Sequence, residues 1–173
     1  LWGMGQFVNK WKDQGKYVMN GSDSATLWGD LIPMREDPHA FDPAQGYLCS
    51  ANQVTTDTTY PYYYNGAGWV NLRAWRINDV LGRIQKATVN DMFALQNDTY
   101  SWLAAQTLPV IMPQLTVASG SEERYCSSLM KDWDFTLGAK SKSASFFQVW
   151  WSFLSEGLWD QKFGNRPNAL LPP

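Results

Sequence analysis

Two hydrophobic periods divide this chain. As far as about Gly68, short apolar runs of strand length alternate with clusters of Gly, Pro, Asp and Asn, which is the pattern of strands joined by turns and long loops. It predicts strands over residues 2–8, 17–19 and 46–52; in the last of these Leu48, Ser50 and Asn52 alternate with Tyr47, Cys49 and Ala51. Trp28-Gly29-Asp30-Leu31-Ile32-Pro33 and Phe41-Asp42-Pro43 read as irregular connections. Beyond Gly68 the period becomes that of helices. Ile77, Val80, Leu81 and Ile84 fall at i, i+3, i+4 and i+7 and predict a helix over 70–85. Thr88 with Asp91 three residues on resembles a capping box with Asp in the place of Glu or Gln, opening a helix over 89–107 that Pro109 ends. Pro109 and Pro113 bracket a short, separately oriented helical stretch. Tyr125, Leu129 and Trp133 share one face of a helix over 122–133, and Phe146, Phe147, Trp150, Trp151, Leu154 and Leu158 line another over 143–158. From Pro167 to Pro173 the chain is expected to be extended.

These elements predict an α+β chain: one partial domain over 1–173, strand- and loop-rich over 1–68 and mainly helical over 69–173. A chain of 173 residues with 45% hydrophobic content is long enough to bury one sizeable core. Its first residues, Leu1-Trp2-Gly3-Met4-Gly5-Gln6-Phe7, read as a strand already under way, so the expectation is a segment of something longer. A net charge of −2 offers no basic stripe for a phosphate backbone, which argues against nucleic-acid binding. No apolar run reaches the ~18 residues that cross a bilayer. Cys49 and Cys126 are too few to staple a fold, and they lack C-x-x-C spacing.

Candidate chemistry is narrowed mainly by what is scarce. His39 is the one histidine, set in a loop between Pro38 and Ala40, so a histidine-rich metal site is excluded, and a Ser-His-Asp triad would lack a G-x-S-x-G elbow. Nucleotide-binding glycine loops and EF-hand loops are absent. Carboxylates are scattered; Asp132 and Asp134 flank Trp133 at a helix end as solvated loop charges rather than as a general acid and base. Ten tryptophans invite a carbohydrate-stacking role, but helical core spacing makes burial the better reading of Trp133, Trp150 and Trp151.

Several stretches in register carry a resemblance. Asp42-Pro43-Ala44-Gln45-Gly46-Tyr47-Leu48-Cys49-Ser50-Ala51-Asn52 resembles the asparagine-ending strand of the penicillin acylase family of N-terminal-nucleophile hydrolases. Upstream, Trp28-Gly29, Ile32-Pro33 and Pro38 resemble that family's approach to the strand, with Asp37 near its acidic position. Downstream, Tyr60-Pro61, the helix start Arg73-Ala74-Trp75-Arg76-Ile77, Val89-Asn90-Asp91-Met92 with Leu95-Gln96-Asn97-Asp98, and Leu129 with Asp132-Trp133-Asp134 continue the series in order.

The resemblance implies a fragment of an αββα sandwich, internal to the large chain, and an amidase that cleaves N-acylated small molecules of the β-lactam, acyl-homoserine lactone or N-acyl amino acid class. It implies self-processing to an N-terminal Ser, Thr or Cys whose own α-amine serves as base, so that no histidine is required. That nucleophile would lie upstream of the matched segment, Leu1 being unable to serve, and the fragment alone would be inactive. The partners implied are the small chain, the N-terminal part of the large chain and a small-molecule substrate; the location implied is the periplasm or the cell exterior. Asn52 matches the family's oxyanion-binding asparagine, and Arg76 matches an arginine that orders the active-site amide and amine groups. From the residues alone, Asn52 also suits the closing of a strand into the polar loop that follows, and Arg76 suits an ion pair with Asp79 at i+3. Trp69, Trp75 and Tyr47 are candidates for an acyl pocket or for core packing. Two departures stand out. Gln53 follows Asn52 where the family often has a second asparagine, which leaves the donor intact and changes its neighbours. Family members commonly hold a structural calcium through carboxylates, one soon after the Tyr-Pro pair, whereas Tyr62-Tyr63-Tyr64-Asn65 stands there in this chain. A non-catalytic carbohydrate- or peptide-binding module, suggested by the 15% aromatic content, and a degenerate acylase homologue are the alternatives.

Overall fold

The structure, a computed structural model, describes residues 5–54, 56–63, 71–115 and 120–164. The chain divides into two compact units, Leu1–Ala74 and Trp75–Pro173. Among the described residues, five α-helices carry the regular structure: α1 (Leu72–Leu81), α2 (Val89–Gln96), α3 (Trp102–Ile111), α4 (Ser121–Lys131) and α5 (Lys142–Phe163). None of the described helices is long and apolar enough to cross a membrane.

Ahead of α1, the described residues of the first unit form loops and two 3-10 turns, Ser24–Thr26 and Met34–Glu36, held by polar side chains. Strands were expected over 2–8, 17–19 and 46–52, yet the described residues of this unit form just one isolated bridge, Val8 to Leu31; residues 2–4 lie outside those described. A strand is stable only when a neighbour takes its ladder of N–H and C=O groups, and no described segment lies alongside residues 46–52 in that way. The period of two persists in burial all the same: Ala51 is buried and Tyr47 and Cys49 half-buried, while Leu48, Ser50 and Asn52 face out. Beside the bridge, Asn9 N donates to Asp30 O at 2.8 Å and Ile32 N to Phe7 O at 2.8 Å. Gln14, wholly buried, organises the adjoining loop: its Oε1 accepts from Trp11 N, and its Nε2 donates to Thr26 O at 3.0 Å and Leu27 O at 2.8 Å. One buried amide thereby satisfies three backbone groups that no sheet serves.

The second unit has a hydrophobic core in which Ala104 and Leu108 of α3, Met130 of α4, Trp133, and Ala144 and Phe147 of α5 meet. Trp150 and Trp151 pack against it half-buried, as the helical spacing of the tryptophans implied. Trp133 and Phe147 lie with ring centroids 5.5 Å apart, and Trp133 Nε1 donates to Thr136 O, so the indole loses no hydrogen bond on burial. Side-chain caps open three of these helices: Thr88 with Asp91 forms a true capping box on α2, Ser101 Oγ accepts from Ala104 N at the start of α3, and Ser141 Oγ accepts from Ala144 N at the start of α5. Ser101 N to Phe135 O (2.8 Å) and Leu137 N to Thr99 O (2.9 Å) bracket a bridge between Tyr100 and Thr136, which ties the loop before α3 to the loop before α5.

Boundaries differ from the sequence pattern in instructive places. Residues 89–107 are not one helix, because Asp98 Oδ1 accepts from Tyr100 N and turns the chain between α2 and α3. Pro109 does not end α3, which runs through it to Ile111 before a 3-10 turn at Met112–Gln114. Proline costs the helix the hydrogen bond to Ala105 O, yet the next turn closes from Met112 N to Leu108 O while the buried Leu108 holds it on the core. The extended stretch expected over 167–173 lies outside the described residues.

Candidate functional site

The segment that delivers Asn52 begins at a turn. Gly46, at φ 77°, donates its N–H to Pro43 O at 2.8 Å, a left-handed position that glycine occupies without strain. Six residues later the backbone turns left-handed again, at Asn52 itself, φ 64°; asparagine tolerates this region better than most residues with a Cβ.

Three side chains hold that turn. Gln53 folds back over it, its Oε1 accepting from Ala51 N at 2.5 Å and its Nε2 donating to Cys49 O at 2.9 Å. Asn71 Nδ2 donates to Ala51 O, while Asn71 Oδ1 accepts from Ala74 N at 2.9 Å, as an N-cap does. One asparagine thereby starts α1 and fastens that start to the residue before Asn52. Arg73, in the first turn of α1, donates from Nη2 to Asn52 Oδ1 at 2.6 Å. A guanidinium can only donate, so the oxygen of the Asn52 amide faces Arg73 and its Nδ2 points elsewhere. Asn52 is exposed, and among the described residues nothing accepts from that nitrogen. The result is an oriented N–H donor whose amide is polarised by a permanent positive charge, an arrangement able to receive a developing oxyanion.

Arg76 lies in the second unit and is occupied there. Its Nε donates to Asp98 Oδ2 at 2.8 Å, its Nη1 to Asp79 Oδ2 at 3.1 Å, and its guanidinium carbon stands 4.1 Å from the centroid of the Tyr100 ring. Arg83 adds a bond to the other Asp79 oxygen. The i+3 pair with Asp79 is therefore present, enlarged into a network that anchors α1 to the turn before α3. Among the described residues, the arginine that bonds the Asn52 amide is Arg73. Sequence reasoning singled out none of the contacts that Arg73, Asn71 and Gln53 make around Asn52. An asparagine immediately before a helical pattern was the available signal for Asn71, whereas two arginines three apart share a helix face and periodicity cannot choose between them.

Other candidates resolve plainly. His39 Nδ1 lies 2.7 Å from Asp37 O, a local loop bond. Asp132 and Asp134 are exposed, and Asp134 Oδ1 accepts from Thr136 N at 2.9 Å in a turn. Trp75 is about half exposed, 51%, and Tyr47 half-buried; Trp69 lies outside the described residues. Cys49 and Cys126 are both free thiols. After the Tyr-Pro pair, Tyr62 donates its hydroxyl to the Glu36 carboxylate, a bond that raises the phenol pKa above 10.0 and keeps it a neutral donor, and Tyr63 donates to Asp13 Oδ1 at 3.3 Å. Phenols already spent on carboxylates do not fit a calcium ion there, and the described residues hold no cluster of three His, Cys, Asp or Glu.

Residues 1–172 match the penicillin amidase family. With nearly the whole sequence inside that match, the chain belongs to the penicillin amidase family of acylase-type hydrolases.

Proposed function

We propose that the chain supplies the oxyanion-binding side of an amidase that cleaves the amide bond of N-acylated small molecules, of the β-lactam, acyl-homoserine lactone or N-acyl amino acid class. The observation that carries this reading is the Asn52 amide, its oxygen taken by Arg73 and its Nδ2 left outward on an exposed turn. As the nucleophile's oxygen adds to the acyl carbon, negative charge gathers on the former carbonyl oxygen, and an N–H already in place stabilises it without reorganisation. Arg73 takes the ordering role, and Arg76 anchors the helix that bears Arg73. The nucleophile is an N-terminal Ser, Thr or Cys on another segment of the same protein, exposed by self-cleavage, with its α-amine as base. That segment and the small chain are the proposed partners, completing an αββα sandwich in the periplasm or outside the cell.

The test is made on the full-length gene product expressed with its export signal. Intact mass and N-terminal sequencing should give two chains, the larger starting at Ser, Thr or Cys. Asn52→Ala should lower kcat on N-acyl-4-nitroanilides about 100- to 1,000-fold with KM little changed. Unchanged kcat would sink the oxyanion assignment.

A binding role without catalysis draws on a different observation: Trp11, Trp28 and Trp75 are each half exposed or more. A single uncleaved chain whose tryptophan fluorescence is quenched by oligosaccharide titration would favour that reading.

A further inference from the structure

We propose that Gln53 is a positioning residue for the Asn52 amide, an inference that rests on the oxyanion reading above. Its side chain makes two hydrogen bonds to the backbone it has just left. Oε1 accepts from Ala51 N at 2.5 Å, and Nε2 donates to Cys49 O at 2.9 Å, with Cys49 Sγ 4.0 Å away. A single planar amide thus bridges the residues two and four positions before it and closes the chain around Ser50, Ala51 and Asn52.

The closure acts where the orientation of Asn52 is decided. Both peptide groups of Ala51 are held, the N–H by Gln53 and the carbonyl by Asn71, and Ala51 itself is buried. Asn52 is the next residue, and its left-handed φ of 64°, which asparagine tolerates better than most residues, is still less favoured than negative φ for a residue with a Cβ. The surrounding bonds must therefore impose it. Arg73 holds the amide oxygen from the far side but fixes just one end of an exposed side chain. Its guanidinium can follow the oxygen if the turn relaxes, whereas the bridge from Gln53 cannot survive that relaxation. Removing the bridge lets Asn52 return toward negative φ and moves Nδ2 off the position it must hold for the oxyanion.

Geometry of this kind acts on rate rather than on binding, because the donor is needed where charge develops and a misplacement of ~1 Å can cost ~100-fold. Gln53→Ala is expected to lower kcat about 10- to 100-fold on the N-acyl-4-nitroanilide that the processed wild-type enzyme turns over fastest, with KM within about twofold. Gln53→Glu keeps the acceptor for Ala51 N but sets a second oxygen against Cys49 O; a smaller loss is expected, and this near-isosteric variant decides the matter if Gln53→Ala fails to fold. Because Gln53 works through Asn52, the pair Asn52→Ala/Gln53→Ala should be no slower than Asn52→Ala alone.

The arms separate the two ideas. If Asn52→Ala keeps wild-type kcat, the oxyanion reading fails and this proposal falls with it. If Asn52→Ala is slow while the Gln53 variant keeps kcat within about twofold, or if the two losses multiply, the oxyanion reading stands and the positioning role of Gln53 is overturned. A kcat loss from Gln53→Ala that disappears in the Asn52→Ala background supports it.

Discussion

Arg73 and Arg76 stand three residues apart on α1, carry the same charge and meet different fates. Arg73 is exposed and gives one hydrogen bond to an exposed amide, so replacing it removes little that holds the fold. Arg76 is one-quarter exposed and serves two carboxylates that are each 16% exposed. Arg76→Met leaves Asp98 and Asp79 half-buried without that partner, at a cost of about 2 kcal/mol. Urea unfolding should therefore show a lowered midpoint for Arg76→Met and a shift within about 0.5 kcal/mol for Arg73→Met. Hydrolysis should report the reverse, the Arg73 variant losing kcat at full stability. Equal destabilisation by both would mean that Arg73 is a scaffold residue and that its bond to Asn52 has no separate role. At this scale the sequence marked Asn52 through its motif, but it could not say which arginine meets it. That choice depends on where Asn71 caps the helix and on how Gln53 closes the turn, and both are side-chain contacts without a periodic signature.

Helices were far more legible than strands. An α-helix satisfies its backbone within itself and needs just one apolar stripe, so its period is written locally; a strand needs a neighbour, and the alternation over residues 46–52 records which side chains turn inward without naming that neighbour. The Thr88–Asp91 capping box was legible for the same local reason, and it leads to a pH prediction. Hydrogen bonds from the Thr88 hydroxyl and then its amide lower the Asp91 pKa below its ordinary 3.8. The ionised carboxylate is the form the fold favours, so its contribution to α2 is complete above pH 3.8 and is lost as pH falls through the lower folded value. Amide exchange at Thr88 and Asp91 should quicken on acidification in that window, and Asp91→Asn should abolish the pH step. A step that persists in Asp91→Asn would assign it to another carboxylate. Pro109 shows the opposite failure: a strong local breaker was overruled because Leu108 beside it is buried in the core of the second unit.

Across the whole chain the two units differ in what holds them. Trp75–Pro173 contains the buried cluster around Phe147, with rings of Trp133, Trp150 and Trp151 packed on it. In Leu1–Ala74 the buried apolar side chains are Ile32, Ala51 and Ala74 among the described residues, while Leu27, Trp28, Met34 and Phe41 are each 66% exposed or more. Polar closures, Gln14 on one loop and Gln53 with Asn71 on another, do the work that apolar burial does elsewhere. Since buried apolar area is the main stabilising term, native-state hydrogen exchange should find the amides of α3 and α5 the best protected, and those of Asn9, Gly29 and Ile32 exchanging through small local openings. Phe147→Ala should strip about 3–5 kcal/mol of protection from α3 and α5 together, because both helices bury residues in the same cluster. If protection fell in α5 alone, the cluster would not be one cooperative core. If Asn9 and Ile32 proved as well protected as α5, the first unit would owe its stability to something other than the few side chains it buries.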